Sequence, residues 1–436
     1  VAFLLKKRMS LRRLIFPALP FVSLFTGAAL LCAAGLSPEE RRIADYVDAQ
    51  AEDFASGLEA AVRIDSATEN LAGVRQLGEL FGRDLATMGF ESKFVPLPPE
   101  TKRAGHLVAE RRGTRGRRLL LIGHLDTVLP GGNWRREGGR AFGAGVNDMK
   151  GGDLVMLHAL RALHAAGALA DTRIIVVMTG DEEAVGHPVE VSRRDLFEAA
   201  KRSDVALAFE TAIGQTGTVA RRGIVSWTLE TQGATGHSSG IFSAAAGSGS
   251  VYEMARILHD FHEQLRRLDG ITCNPALVAG GTEAELDRTG GRVGGKSNII
   301  AQRTLARGDL RYLSAQQLAE AKAIMQAIVA RHLPRTSAKL KFEDDGYPAM
   351  APADANYTLL AELDRTSRDL GFGEVKAYDP KGRGAGDIAF VSPPLPGLDG
   401  LGIRGEGAHA PGESADLATA PELIKRAAIL IYRLTR

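Results

Sequence analysis

The sequence predicts an α/β protein, a mainly parallel mixed sheet flanked by helices, interrupted by an inserted α+β sandwich. Three observations predict it. Residues 119–122, 174–178 and 205–209 are wholly apolar runs of strand length, the mark of strands buried on both faces. Residues 151–166 between the first two have the small and apolar periodicity of a helix, and strands alternating with helices imply parallel pairing with covered faces. After Gly214 the pattern changes to alternating strands and two long helices, which reads as a separate small domain.

In chain order, basic residues from Lys6 to Arg13 precede an apolar stretch over 14–34 that ends in small residues. This reads as a secretory signal peptide, residues 1–34, cleaved near Ala34, with Met9 a candidate start. The alternative is an uncleaved membrane anchor; Pro17, Pro20 and the small-residue end favour cleavage. The expected location is therefore secreted or periplasmic, with no stable membrane association after cleavage. Cleavage would leave Cys273 as the one cysteine, so no intrachain disulfide is expected.

Residues 38–64 and 71–88 have helical spacing, and 90–96 reads as a strand. The run 119–122 closes on Gly123, and the run 174–178 closes on Thr179-Gly180. Past Gly214, residues 219–231 and 305–312 alternate as half-buried strands, while 248–268 and 314–332 read as helices. Residues 422–436 form a closing amphipathic helix. The expected organisation is thus 36–214 and 335–436 for the larger domain, with 215–334 inserted. A chain of 436 residues exceeds one compact core, in keeping with two domains. Its formal charge of +2 with 24% charged residues gives no basic excess for nucleic acid and no acidic tail.

Chemistry-bearing residues gather where these strands end, the edge at which parallel sheets carry their sites. Gly-His124-Leu-Asp126-Thr-Val follows the first run and Gly-Asp-Glu182-Glu183 the second. Glu210 follows the third. Asp148 lies in the loop Gly-Ala-Gly-Val-Asn-Asp-Met-Lys-Gly-Gly, whose glycines let backbone approach an ion, and His409 ends Gly-Glu-Gly-Ala-His. Asp126, two residues from His124, is placed to accept the second ring N–H and fix the tautomer. Two histidines and three carboxylates without a thiolate suit two divalent ions bridged by one carboxylate and one water. His158, His164, His259 and His262 lack a carboxylate partner at metal spacing, and His187, close after Glu183, is read as loop geometry in the turn Gly-His-Pro.

Taken together with Gly-x-x-x-His237-Ser-Ser, these segments resemble the M20 family of dinuclear zinc peptidases and deacylases, secreted glutamate carboxypeptidases being the most similar subgroup. Six motifs occur in the family's order across residues 43–436. The resemblance implies a zinc-peptidase-like catalytic domain and an inserted dimerisation and lid domain. It assigns one zinc to His124, Asp148 and Glu210 and the other to Asp148, Glu183 and His409, with Co²⁺ or Mn²⁺ as other possible occupants. It makes Glu182 the general base, places a cis peptide after Asp148, and has His237 reach across a homodimer to the partner's oxyanion. A turn histidine bonded to its neighbouring serines is the plainer reading of His237.

The implied substrate is a small peptide or N-acyl amino acid. Asn298 and Arg311 match family positions in the inserted domain that face the site, Arg311 as a fork for a substrate carboxylate or, equally, as a partner of Asp309. Two departures bear on specificity. The chain reads Gly-Tyr347-Pro-Ala-Met where glutamate carboxypeptidases have Gly-Arg-Pro-Ala-Phe, and Gly386-Asp387 where they have threonine or serine before the aspartate. Arg383 or Lys381 is then expected to supply the missing cation.

Overall fold

The computed structural model describes residues 35–287, 290–343, 346–392 and 394–436. The expected signal peptide, residues 1–34, lies outside the described residues. Among the described residues no helix is long and apolar enough to cross a membrane.

The apolar runs become the centre of a six-stranded sheet. Its order is Glu91–Pro96, Gly105–Arg111, Thr172–Thr179, Arg115–His124, Val205–Ala208 and Gly397–Leu398. The first two strands pair antiparallel, and Gly105–Arg111 pairs antiparallel with Thr172–Thr179; the remaining pairs are parallel. Period-two geometry sends Leu119 and Leu121 to one face and Leu120 and Ile122 to the other, and both faces are buried. Helices Lys150–Ala165 and Ala420–Leu434 cover the first face, and Leu196, Ile388 and Val391 pack on the second. Each aliphatic side chain so buried contributes about 1.5–3 kcal/mol. The parallel strands run together, so His124, Thr179 and Ala208 bring their following residues to one edge.

A second sheet, ordered Thr272–Gly281, Arg303–Tyr312, Gly223–Gly233 and Thr336–Phe342, is antiparallel throughout. Helices Gly249–Leu265 and Ala315–Val329 close over it on a core that includes Trp227, Leu229, Ile257, Phe261 and Met325. This is the inserted α+β domain, with edges displaced from the expected 215–334. Thr216–Gly217 pairs with Lys376–Ala377 and Val219 is buried in the main core, so the chain leaves the larger domain only at Gly223. Thr336–Phe342 pairs with Gly223–Gly233 and belongs to the insert, although its alternate residues are exposed and its pattern carries little apolar signal. The helical stretch 38–64 is likewise two helices, Pro38–Asp48 and Ala51–Val62, broken by the turn at Ala49-Gln50.

Candidate active site

His124 is the last residue of its strand and is buried. Its Nδ1 lies 3.0 Å from the backbone carbonyl of Asp126. A carbonyl only accepts, so Nδ1 carries a proton, and Nε2 is the nitrogen facing Asp148 at 3.2 Å and Glu210 at 3.7 Å. The tautomer is thus oriented by the Asp126 main chain, where the carboxylate had been expected to do it; Asp126 Oδ1 is 3.7 Å away. That carboxylate is occupied instead by Glu182 N (2.9 Å), Glu183 N (3.1 Å) and the Thr68 hydroxyl (2.7 Å). Asp126 therefore holds the strand end that presents both glutamates.

Asp148 is brought in by its glycine loop and by a residue that sequence reasoning did not single out. Glu413 accepts the backbone N–H groups of Gly145 (2.8 Å), Asn147 (2.8 Å) and Asp148 (2.9 Å), which fixes the loop from the far end of the chain. Gly152 permits the close approach that follows, since a Cβ there would lie 1.8 Å from the carbonyl oxygen of Phe209. The helix start and the strand end before Glu210 are thereby locked together. The Asp148–Met149 peptide is cis.

These supports gather two triads of donor atoms within 4.8 Å of one another, His124, Asp148 and Glu210 on one side and Asp148, Glu183 and His409 on the other, with Asp148 in both. His409 Nε2 lies 3.2 Å from Asp148 and 3.1 Å from Glu183. Glu182 forms a further close group with His124 and Glu183. Burial pushes the Glu210 carboxyl up to about 7 against the pull of Arg221, and the Glu182 carboxyl well above its ordinary range. Hydrogen bonds to Asp148 and Glu183 raise His409 to about 11. Glu183 Oε1 is buried with no hydrogen-bond partner. An all-nitrogen-and-oxygen donor set with an unused buried carboxylate oxygen fits divalent metal ions.

The other expected residues are distributed differently. Arg383 lines a cavity of about 350 Å³ together with Asp148, Glu182, Glu210, Arg221 and His409. Two of its donors are held by the Thr218 hydroxyl (3.0 Å) and the Thr211 carbonyl (2.7 Å). Lys381, the other cation of that loop, is paired outside the cavity with Asp269 at 2.5 Å. Arg311 pairs with Asp309 at 3.2 Å, which is the alternative the sequence allowed. His237 is exposed, with Nδ1 2.9 Å from the Ser239 hydroxyl, and Asn298 stands beside it through its carbonyl, which accepts Ser238 N at 2.9 Å. Among the described residues no hydrogen bond or ion pair joins His237, Asn298 or Arg311 to the carboxylate cluster of the same chain.

Three buried groups complete the surroundings. Arg221 lies 3.4 Å from Glu210 and is anchored by Asp399. Arg193, fully buried, bonds Asp181 at 2.5 Å and Asp387 at 2.9 Å. Tyr347 donates its hydroxyl to the Glu182 carbonyl at 2.5 Å. Burial with carboxylates nearby holds that phenol well above its ordinary range, so it remains a donor.

A mainly parallel sheet that delivers paired carboxylate and imidazole clusters to the ends of its strands, beside an inserted α+β domain, defines a metal-dependent hydrolase. Residues 120–433 match peptidase family M20/M25/M40, and the chain belongs to that family. It is similar to carboxypeptidase G2 of Pseudomonas sp. (strain RS-16), 26% identical over 86% of this chain and 88% of that protein. Succinyl-diaminopimelate desuccinylase of Gluconobacter oxydans is 27% identical over 78% of this chain and 87% of its own length. Among solved structures, an aminopeptidase from Bacillus cereus shares the fold with a TM-score of 0.69, at 16% identity, over 88% of this chain and 99% of that one.

Proposed function

We propose that the enzyme hydrolyses an amide or peptide bond next to an amino-acid carboxylate, as a carboxypeptidase or dipeptidase. The observation that carries this reading is the pair of donor triads sharing Asp148, with Glu182 against them and Arg383 in the same cavity. His124, Asp148 and Glu210 would hold one divalent ion and Asp148, Glu183 and His409 a second, Zn²⁺ or in its place Co²⁺ or Mn²⁺. When bound, such ions polarise a carbonyl and make water acidic enough to attack at neutral pH. Glu182 takes a proton from the attacking water and passes it to the leaving nitrogen, and the water's second proton follows, so that amide and water end as a carboxylate and an ammonium with no net proton left on the enzyme. The Arg383 guanidinium supplies positive charge for the substrate carboxylate, in place of the arginine expected from glutamate carboxypeptidases where this chain has Tyr347.

The similarity to desuccinylases favours a second reading, an N-acyl-amino-acid deacylase with the same residues in the same roles. A panel of dipeptides and N-acyl amino acids, each assayed with added zinc, cobalt or manganese, separates the two. The first reading predicts turnover of peptides with a free C-terminal carboxylate and loss of turnover when that carboxylate is amidated. Cleavage confined to N-acyl amino acids would establish the deacylase. No turnover of any member would leave an inactive binding homologue.

The proposal includes a homodimer built through the insert. Phe242 and Tyr252, 67% and 51% exposed, pack with ring centroids 5.4 Å apart and planes tilted by 51° on the same domain as His237, an aromatic patch suited to a second copy of this surface. His237 would then meet the partner's cluster and hydrogen-bond the developing oxyanion. His237→Ala is expected to lower kcat about 100-fold, the cost of one oxyanion donor, with metal retained. Mixed dimers with Glu182→Ala would regain activity, since one hybrid site keeps both groups. A fully active monomer, or verified mixed dimers without rescue, would rule out action across the dimer.

A further inference from the structure

The insert is joined to the larger domain by two chain crossings, one before Gly223 and one after Phe342. They are stitched to each other: Arg221 and Met350 exchange backbone hydrogen bonds at 2.9 and 3.1 Å, and Ile224 N donates to the Tyr347 carbonyl at 3.0 Å. The same Tyr347 carbonyl accepts the hydroxyl of Tyr312, the last residue of an insert strand, also at 3.0 Å. Two residues of the inserted domain thus grip the main chain of Tyr347.

The side chain of Tyr347 points the other way, into the catalytic domain. Its hydroxyl accepts from Arg193 Nη2 at 3.0 Å and donates to the Glu182 carbonyl at 2.5 Å, so its one proton and one acceptor site are both used. Arg193 is held by Asp387 and by both the carboxylate and the carbonyl of Asp181. The Glu182 peptide is therefore clamped on both sides, its N–H by Asp126 and its carbonyl by Tyr347.

We infer that Tyr347 is a positioning residue for Glu182 and that it ties the placement of this base to the inserted domain. The inference rests on Glu182 being the base. The bond to Tyr347 is made to the main chain of Glu182 and leaves its carboxylate free, so what it controls is where that carboxylate points. A carboxylate that must reach a water and then a leaving nitrogen within hydrogen-bond distance is sensitive to shifts well under 1 Å.

The test uses the metal-loaded full chain with the panel substrate turned over fastest. Tyr347→Phe keeps the ring and removes only the hydroxyl, and Tyr312→Phe removes the grip from the insert side while leaving the Glu182 bond in place. Measured quantities are kcat, KM, ions per chain and the thermal transition. Tyr347→Phe is expected to lower kcat about 10–100-fold at unchanged KM and two ions per chain; Tyr312→Phe is expected to lower kcat by a smaller factor, about threefold, with the same split. A Tyr347→Phe enzyme with kcat within about twofold of the parent, or one whose loss of rate follows loss of metal or of folded protein, would overturn the inference. Turnover above about one per cent of the parent in Glu182→Ala would sink the underlying base assignment instead, whereas a Glu182→Ala enzyme below that level beside an unimpaired Tyr347→Phe would overturn this inference alone.

Discussion

Glu182→Ala is expected to lower kcat about 10⁴-fold, the upper end of what one positioned proton-transfer group supplies. The size of the effect follows from the double role: the same carboxylate must accept the proton of the attacking water and deliver it to the leaving nitrogen. The variant should otherwise resemble its parent. The strand end is held through main-chain atoms, Glu182 N and Glu183 N on Asp126 and the Glu182 carbonyl on Tyr347, and none of these is lost with the side chain. Neither proposed triad uses Glu182, so the ion count should stay at two per chain. Turnover above about one per cent of the parent would require another residue as the base.

Asp148→Asn is expected to have the second large effect, through metal. Asp148 is common to both triads, and its oxygens lie 3.2 Å from His124 and 3.2 Å from His409. The asparagine keeps the volume but loses the charge and one acceptor oxygen, weakening both proposed sites together. Affinity should fall at least about 100-fold, since even residues that only support a ligand cost 10–100-fold when changed. The loop itself should persist, because Glu413 holds it by backbone N–H groups that the substitution leaves alone. His409→Ala, by contrast, touches one triad and should release one ion. An Asp148→Asn enzyme that keeps two ions and its rate would remove the shared ligand from the account.

Much of this site was legible because its key residues sit next to local signals. His124, Glu182, Glu183 and Glu210 each follow an apolar run, and a buried strand announces both its own end and the edge where chemistry gathers. The groups that steer them were not legible, because their partners are remote in sequence. Glu413 reaches a loop more than 260 residues earlier, and Tyr347 meets Glu182 from 165 residues away. No spacing rule connects such pairs. Asp126 shows a subtler limit: its position two residues after a histidine suggested a side-chain partner, yet the main-chain carbonyl took that place and freed the carboxylate for the turn ahead. The insert's boundary moved for a third reason. Thr336–Phe342 is an edge strand whose alternate side chains face water, so it lacks the apolar pattern that marks its neighbours.

The central claim is that two ions share Asp148 while Glu182 does proton transfer without holding either. It is tested most directly by counting ions per chain and measuring turnover on the same zinc-loaded samples of the parent enzyme, Glu182→Ala and Asp148→Asn. The account predicts two ions with turnover for the parent, two ions without turnover for Glu182→Ala, and loss of both ions and turnover for Asp148→Asn. A parent enzyme fully active with one ion or none, or a Glu182→Ala enzyme that loses metal in step with its rate, would contradict it.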